Sequence, residues 1–225
     1  MAIRFASAPE GGSGPSVPGV RLDHVLVGAA DLAAGRDEIE RRTGVRPAAG
    51  GSHPQWGSHN ALLALGPACY LELVAPRPGA PAAGPFAALR ELARPTPVGW
   101  ALAVDDLQAA RRNLRARGHE LTEIAPGARQ RPDGRRLEWR TMRFAARPMV
   151  GAWPFFIEWG DTSLHPAADA PAGCRLRGLS VATPQAAELT ALCDALGLAV
   201  EVRKSAETRL AFELDTPAGQ VTLGR

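Results

Sequence analysis

The chain has 225 residues, 45% hydrophobic and 22% charged, ordinary values for a soluble globular protein of one or two domains. No apolar run is long enough to cross a bilayer, and no basic segment followed by an apolar one marks a secretory leader, so no membrane association and a cytoplasmic location are expected. The net charge is +3, yet the arginines (every basic residue but Lys204) are dispersed and lack interleaved aromatics, so no nucleic-acid partner is expected; an odd, scattered set of Cys69, Cys174 and Cys193 argues against a disulfide framework.

Residues 1–19, rich in Gly, Pro, Ser and Ala without periodicity, read as a flexible tail. A first unit spans residues 20–96. It opens with a strand from Leu22 to Val27, then Asp31 as an N-cap, and Leu32, Gly35, Arg36 and Ile39 at helical spacing. Gly44 is placed to stop that helix in a left-handed turn. RPAAGGSHPQWG reads as a glycine-rich turn, followed by strands from Asn60 to Leu65 and from Cys69 to Ala75, the latter halted by Pro76. A Pro/Gly/Ala linker and a short helix carrying Phe86, Leu89 and Leu92 complete the unit.

The design recurs over residues 97–170. A strand from Val98 leads to Asp106 as cap, Leu107, Ala110 and Leu114 as helix core, and Gly118 as stop. A short strand near His119 to Thr122, a basic turn APGARQRPDGRR with Asp133-Gly134 at its end, and the strands RLEWRTMRFA and PFFIEWG follow. A third, partial copy occupies residues 171–225. There Thr183 caps, Pro184 takes the first helical position, Gly197 stops, and AVEVRK, TRLAFELD and QVTLG read as short strands. The caps lie 75 and 77 residues apart, the mark of a repeated supersecondary unit. The fold class expected is α+β: two paired βαβββ modules forming a curved mixed sheet around a cavity, with an additional partial C-terminal βαβββ module.

Alternation along strands assigns side chains to faces. His24 shares a face with Leu22 and Leu26, Glu72 with Tyr70 and Val74, and Glu158 with Phe156, so each of these strands has one apolar face and one face with a single ionisable group. The ionisable faces are expected to look into the cavity. His53 and His59 flank Trp56 in the glycine-rich turn, where they could close over a ligand, and Asn60 could hydrogen-bond it.

LDHVLVGAADL, GGSHPQWGSHNALLALG, YLELVAP and PFFIEWG with the later His165-Pro166, in this order and spacing, resemble the glyoxalase-like domain family of the vicinal oxygen chelate superfamily. The resemblance covers about residues 21–166. It implies a divalent metal in the cavity, zinc, nickel, manganese or iron, held by His24, Glu72 and Glu158, with Glu158 also the catalytic base. The first strand of the second module offers no ligand: the matching position is Gly99. Substrate contacts would come from His53, Trp56, His59, Asn60, Tyr70 and Phe156. The implied activity is a small-molecule lyase or isomerase, with oxygenase chemistry as a variant, that chelates vicinal oxygens of its substrate on the metal. The alternative is a metal-free protein that binds or sequesters a small molecule, as resistance proteins of the superfamily do. By analogy with related folds, the partner besides the small molecule would be a second copy in a homodimer.

Overall fold

The computed structural model describes residues 19–81, 84–130, 134, 136–161 and 163–224. The tail expected over residues 1–18, and Asp133 of the Asp133-Gly134 turn, lie outside the described residues.

Helix α1 (Leu32–Thr43) starts where the Asp31 carboxylate accepts the Ala34 N–H at 2.8 Å, and ends at Gly44, whose φ of 74° is left-handed. Helix α2 (Leu107–Ala116) starts at Asp106, which accepts from Gln108 and Ala109 at 2.8 and 3.0 Å. Helix α3 (Ala186–Leu196) begins two residues later than its sequence signal. Its N-cap is Gln185, and the buried Thr183 hydroxyl turns toward Gln185 in the preceding turn. Among the described residues no helix is long and apolar enough to cross a membrane.

Strands β1 (Arg21–Gly28), β2 (Ala48–His53), β3 (Ser58–Gly66) and β4 (Cys69–Pro76) belong to the first module, and β5 (Thr96–Ala103), β6 (Ala125–Gln130), β7 (Arg136–Arg143) and β8 (Phe155–Trp159) to the second. They form one eight-stranded sheet in the order β2-β3-β4-β1-β5-β8-β7-β6. The modules are joined by the antiparallel β1–β5 pair, and within each the first strand runs parallel to the last. The sheet curls until its two edges nearly meet, and there Arg129 on β6 donates to the Gly50 carbonyl on β2 at 2.6 Å.

Two sequence expectations shift here. The glycine-rich turn contains β2, and the basic turn contains β6, whereas His119 to Thr122 contributes only a single bridge between Leu121 and Phe144. Weak strand formers are recruited because a neighbouring strand offers them a ladder, and their glycines admit larger groups. A Cβ on Gly127 would lie 2.2 Å from the Trp139 indole nitrogen, and one on Gly50 would lie 2.2 Å from the Asn60 side-chain oxygen. Both small residues make room for side chains of the concave face.

The third unit repeats the order strand, helix, three strands: β9 (Arg175–Thr183), α3, β10 (Glu201–Lys204), β11 (Arg209–Thr216) and β12 (Gly219–Leu223). Its sheet order, β10-β9-β11-β12, differs from that of the other two, because β9 lies between β10 and β11. This sheet packs outside the curved one. Leu179, Val181, Phe212 and Leu214 share an apolar cluster with Ile39, Leu63, Trp100 and Leu102 on the helix side. The concave cluster, which includes Leu26, Val74, Ala101, Trp139, Phe155 and Ile157, draws no residue from the third unit.

Candidate functional site

The polar centre of the concave face starts from an irregularity in β1. Consecutive strand residues point to opposite faces, but the β1–β5 register slips between Leu22 and His24. Asp23 is the extra residue. Leu22 therefore packs on the helix side, while Asp23 and His24 both turn inward, buried to 1% and 2% exposure. The expected common face of Leu22 and His24 is broken by this bulge.

Asp23 collects three contacts. Its Oδ1 lies 2.5 Å from His24 Nδ1, and its Oδ2 accepts from Trp159 Nε1 at 2.9 Å and meets His165 Nε2 at 3.1 Å. Burial opposes ionisation of Asp23, but hydrogen bonds from His165 and His24, reinforced by their charge, outweigh it and hold the carboxyl well below its usual range. His24 stacks on Tyr70 with ring centroids 4.6 Å apart, and Phe155 meets it edge-on at 5.5 Å. Its Nε2 is buried, has no hydrogen-bond partner among the described residues, and lies 3.5 Å from Glu72 Oε2. The other Glu72 oxygen accepts from Asn60 Nδ2 at 2.7 Å, and Asn60 in turn accepts from the Gly51 N–H at 2.9 Å.

His53 is buried beside this group, against Trp56 and Trp139, and within 3.3 Å of the Ser58 hydroxyl. Burial pushes its pKa down; Glu72 opposes the shift, and Arg129, His24 and His59 add to it. Burial, with Asp23 and Glu72 close by, pushes the Tyr70 phenol well up.

The structure thus brings His24, Glu72, Asn60, Tyr70 and His53 together, with Trp56 packed against the concave cluster. It places three expected site residues elsewhere. His59 alternates with Ser58 and Asn60 and is on the α1 side, where Asp31 acts on its charge. Phe156 is fully buried in the helix-side cluster. Glu158 follows it onto that side: its Oε2 accepts the Leu107 N–H at 2.7 Å, and its Oε1 pairs with Arg140. Glu158 and Asp106 together satisfy the first three N–H groups of α2. Strand alternation in β8 holds, but the apolar residues Phe155 and Ile157 take the concave side.

Strand register gives the reason. His24 pairs with Tyr70 and Leu26 with Glu72 in the first module; Ala101 pairs with Phe155 and Ala103 with Ile157 in the second. The concave side of β5 and β8 carries Ala101, Ala103, Phe155 and Ile157, and Gly99, the position that matches His24, has no side chain, so none of these can ligate a metal. Among the described residues no group of three His, Cys, Asp or Glu side chains is arranged to hold a metal ion. Where the resemblance implies a metal with ligands from both modules, the donor set here is one-sided and does not fit it.

A model of the glyoxalase-like domain matches residues 22–197. The chain belongs to the glyoxalase-like domain family. No curated protein matches this family member in sequence. Among solved structures it is similar to a hypothetical protein from Staphylococcus aureus, with TM-score 0.63 and 12% identity over 92% of this chain and 88% of that one. Methylmalonyl-CoA epimerase from Mycobacterium tuberculosis matches with TM-score 0.44 and 23% identity over 67% of this chain and 93% of that one. A Streptomyces coelicolor methylmalonyl-CoA epimerase in complex with 2-nitronate-propionyl-CoA matches with TM-score 0.47 and 14% identity over 64% and 97%.

Asp23 and Trp159 are the residues of this polar centre that sequence reasoning does not reach. Asp23 is masked by the bulge, which has no sequence signature of its own. His165 does stand out in the sequence beside Pro166, but its partner lies 142 positions away.

Proposed function

We propose that this member of the glyoxalase-like family binds a small molecule on the concave face of the curved sheet and does so without a resident divalent metal. The observation that supports this reading is the one-sided set of candidate ligands: His24 and Glu72 come from the first module, while the concave side of β5 and β8 carries Ala101, Ala103, Phe155 and Ile157. A metal-assisted lyase or isomerase of the kind the resemblance implies needs ligands from both sides, and Glu158 is engaged at the start of α2.

A cleft of about 610 Å³ is lined by Gln55, Gly127, Trp139, Arg140, Glu158 and Trp159 among others. Its size suits a small organic ligand, and paired indoles, with centroids 5.7 Å apart at Trp139 and Trp159, suit a planar or apolar part of one. Trp159 connects cleft and centre, since its indole nitrogen donates to Asp23. What His24 and Glu72 can do to such a ligand is accept, donate or move a proton.

A thermal-shift screen of small planar acids, alcohols and amides tests the reading, run in chelator on wild type, Glu72→Gln and Trp159→Phe. Ligands that stabilise wild type in chelator and lose at least tenfold in affinity in either variant support it. Ligands that act only after zinc, manganese, nickel or iron is supplied overturn it.

A further inference from the structure

We propose that Asp23 is the positioning residue of this site: it fixes His24 with its hydrogen on Nδ1 and so presents Nε2, together with Glu72, to a hydroxyl or amine group of the bound small molecule. The inference rests on the reading of the concave face as a ligand site, but its structural half stands on hydrogen-bond geometry alone.

An indole nitrogen can only donate, so Trp159 gives its hydrogen to Asp23 Oδ2 at 2.9 Å. His165 Nδ1 accepts the Ala167 N–H at 3.2 Å, so the hydrogen of its neutral ring is on Nε2, directed at the same Asp23 oxygen 3.1 Å away. Asp23 Oδ1 is left facing His24 Nδ1 at 2.5 Å. An ionised carboxylate only accepts, so the hydrogen of this contact belongs to His24 Nδ1. A neutral imidazole with Nδ1–H has a lone pair on Nε2, and this atom is the buried one without a partner among the described residues.

Glu72 Oε2, 3.5 Å away, is also an acceptor, and Asn60 holds the carboxylate in that orientation through its other oxygen. Two acceptors have no hydrogen to share, so they form no direct hydrogen bond with each other. They are close enough to be addressed by one O–H or N–H group lying beside both. His24 Nε2 is buried without a partner among the described residues, a state that a ligand of that chemistry relieves. The bulge at Asp23 is what allows carboxylate and imidazole, adjacent in sequence, to point the same way. Bulges are found where a strand must re-aim a side chain at a site.

Long-range ¹H–¹⁵N correlation spectra of the imidazole rings test this directly, with His24→Gln used to assign the signals and no ligand present. Wild type is expected to carry hydrogen on His24 Nδ1. Glu72→Gln is expected to keep that form, because its amide can donate to Nε2. Asp23→Asn should switch His24 to the Nε2–H form: the new amide nitrogen donates to Nδ1, while the amide oxygen keeps Trp159 and His165. Hydrogen on Nε2 of wild type or Glu72→Gln, whether as the other tautomer or as a doubly protonated ring, or an unchanged tautomer in Asp23→Asn, overturns the proposal. If Asp23→Asn does not fold, wild type and Glu72→Gln still decide. Because the spectra need no ligand, failure here is distinguishable from failure of the ligand screen.

Discussion

Glu158 decides between a ligand role and a structural one, and the structure assigns it a load that can be measured. Removing its carboxylate in Glu158→Ala strands the Leu107 N–H, which belongs to a fully buried residue at the start of α2, and releases the half-exposed Arg140. Losing a helix N-terminal acceptor costs about 1 kcal/mol, and the ion pair adds about 0.5 kcal/mol given Arg140's exposure to solvent. For a domain of this size the sum lowers Tm by roughly 3 to 6 °C. Glu158→Gln retains an acceptor for Leu107 and should lose roughly a third of that, through the missing charge at the helix N-terminus. Differential scanning calorimetry of the three proteins gives the order wild type, Gln, Ala. An unchanged Tm in Glu158→Ala combined with loss of ligand binding would refute the structural assignment.

Gly50→Ala inserts a Cβ 2.2 Å from the Asn60 side-chain oxygen, so Asn60 must swing away and release Glu72; urea denaturation should show a loss of about 1–3 kcal/mol, and ligand affinity should fall with it. Stability should also decline in acid in two stages. Burial holds His53 below the usual histidine range, and His59 and His119 are lowered by burial too, so just below pH about 6.5 the unfolded chain binds more protons than the folded one and acidification destabilises. Asp23, held low in the folded state, contributes stability that is complete above pH about 4 and is lost as the pH falls further. Denaturation midpoints between pH 8 and 3 check this: His53→Gln should flatten the upper stage, and a midpoint constant from pH 7.5 to 5 would contradict it.

The modular architecture is legible in the sequence because its signals are local. Asp31, Asp106, Gly44 and Gly197 act within one helical turn, and each is found doing what its residue type does. Strand alternation likewise reads Glu72, Tyr70, Phe156 and Glu158 onto the right strands. What it leaves undetermined is which face of β8 is the inner one. That depends on how β8 pairs with β5, and the expectation that the charged residue faces the cavity reverses because a helix N-terminus needs the carboxylate more. The bulge at Asp23 escapes for a related reason. It is set by the register between β1 and β5, over 70 residues apart in sequence, and one inserted residue changes the face of everything before it. Strands β2 and β6 are hidden by glycines such as Gly50 and Gly127, which leave room for Asn60 and Trp139, side chains that arrive from other strands. The third unit shows how far a local signal reaches: its cap, stop and strands are readable, its strand order is not.

His24 and Glu72 both come from the first module, and divalent-metal titration measures most directly whether such a one-sided donor pair holds an ion. Isothermal titration of zinc, manganese and nickel into wild type and His24→Ala, both freed of metal by chelator, should give indistinguishable isotherms with no one-to-one binding event. A stoichiometric site in wild type that vanishes in His24→Ala would contradict the account and restore the metal-assisted reading.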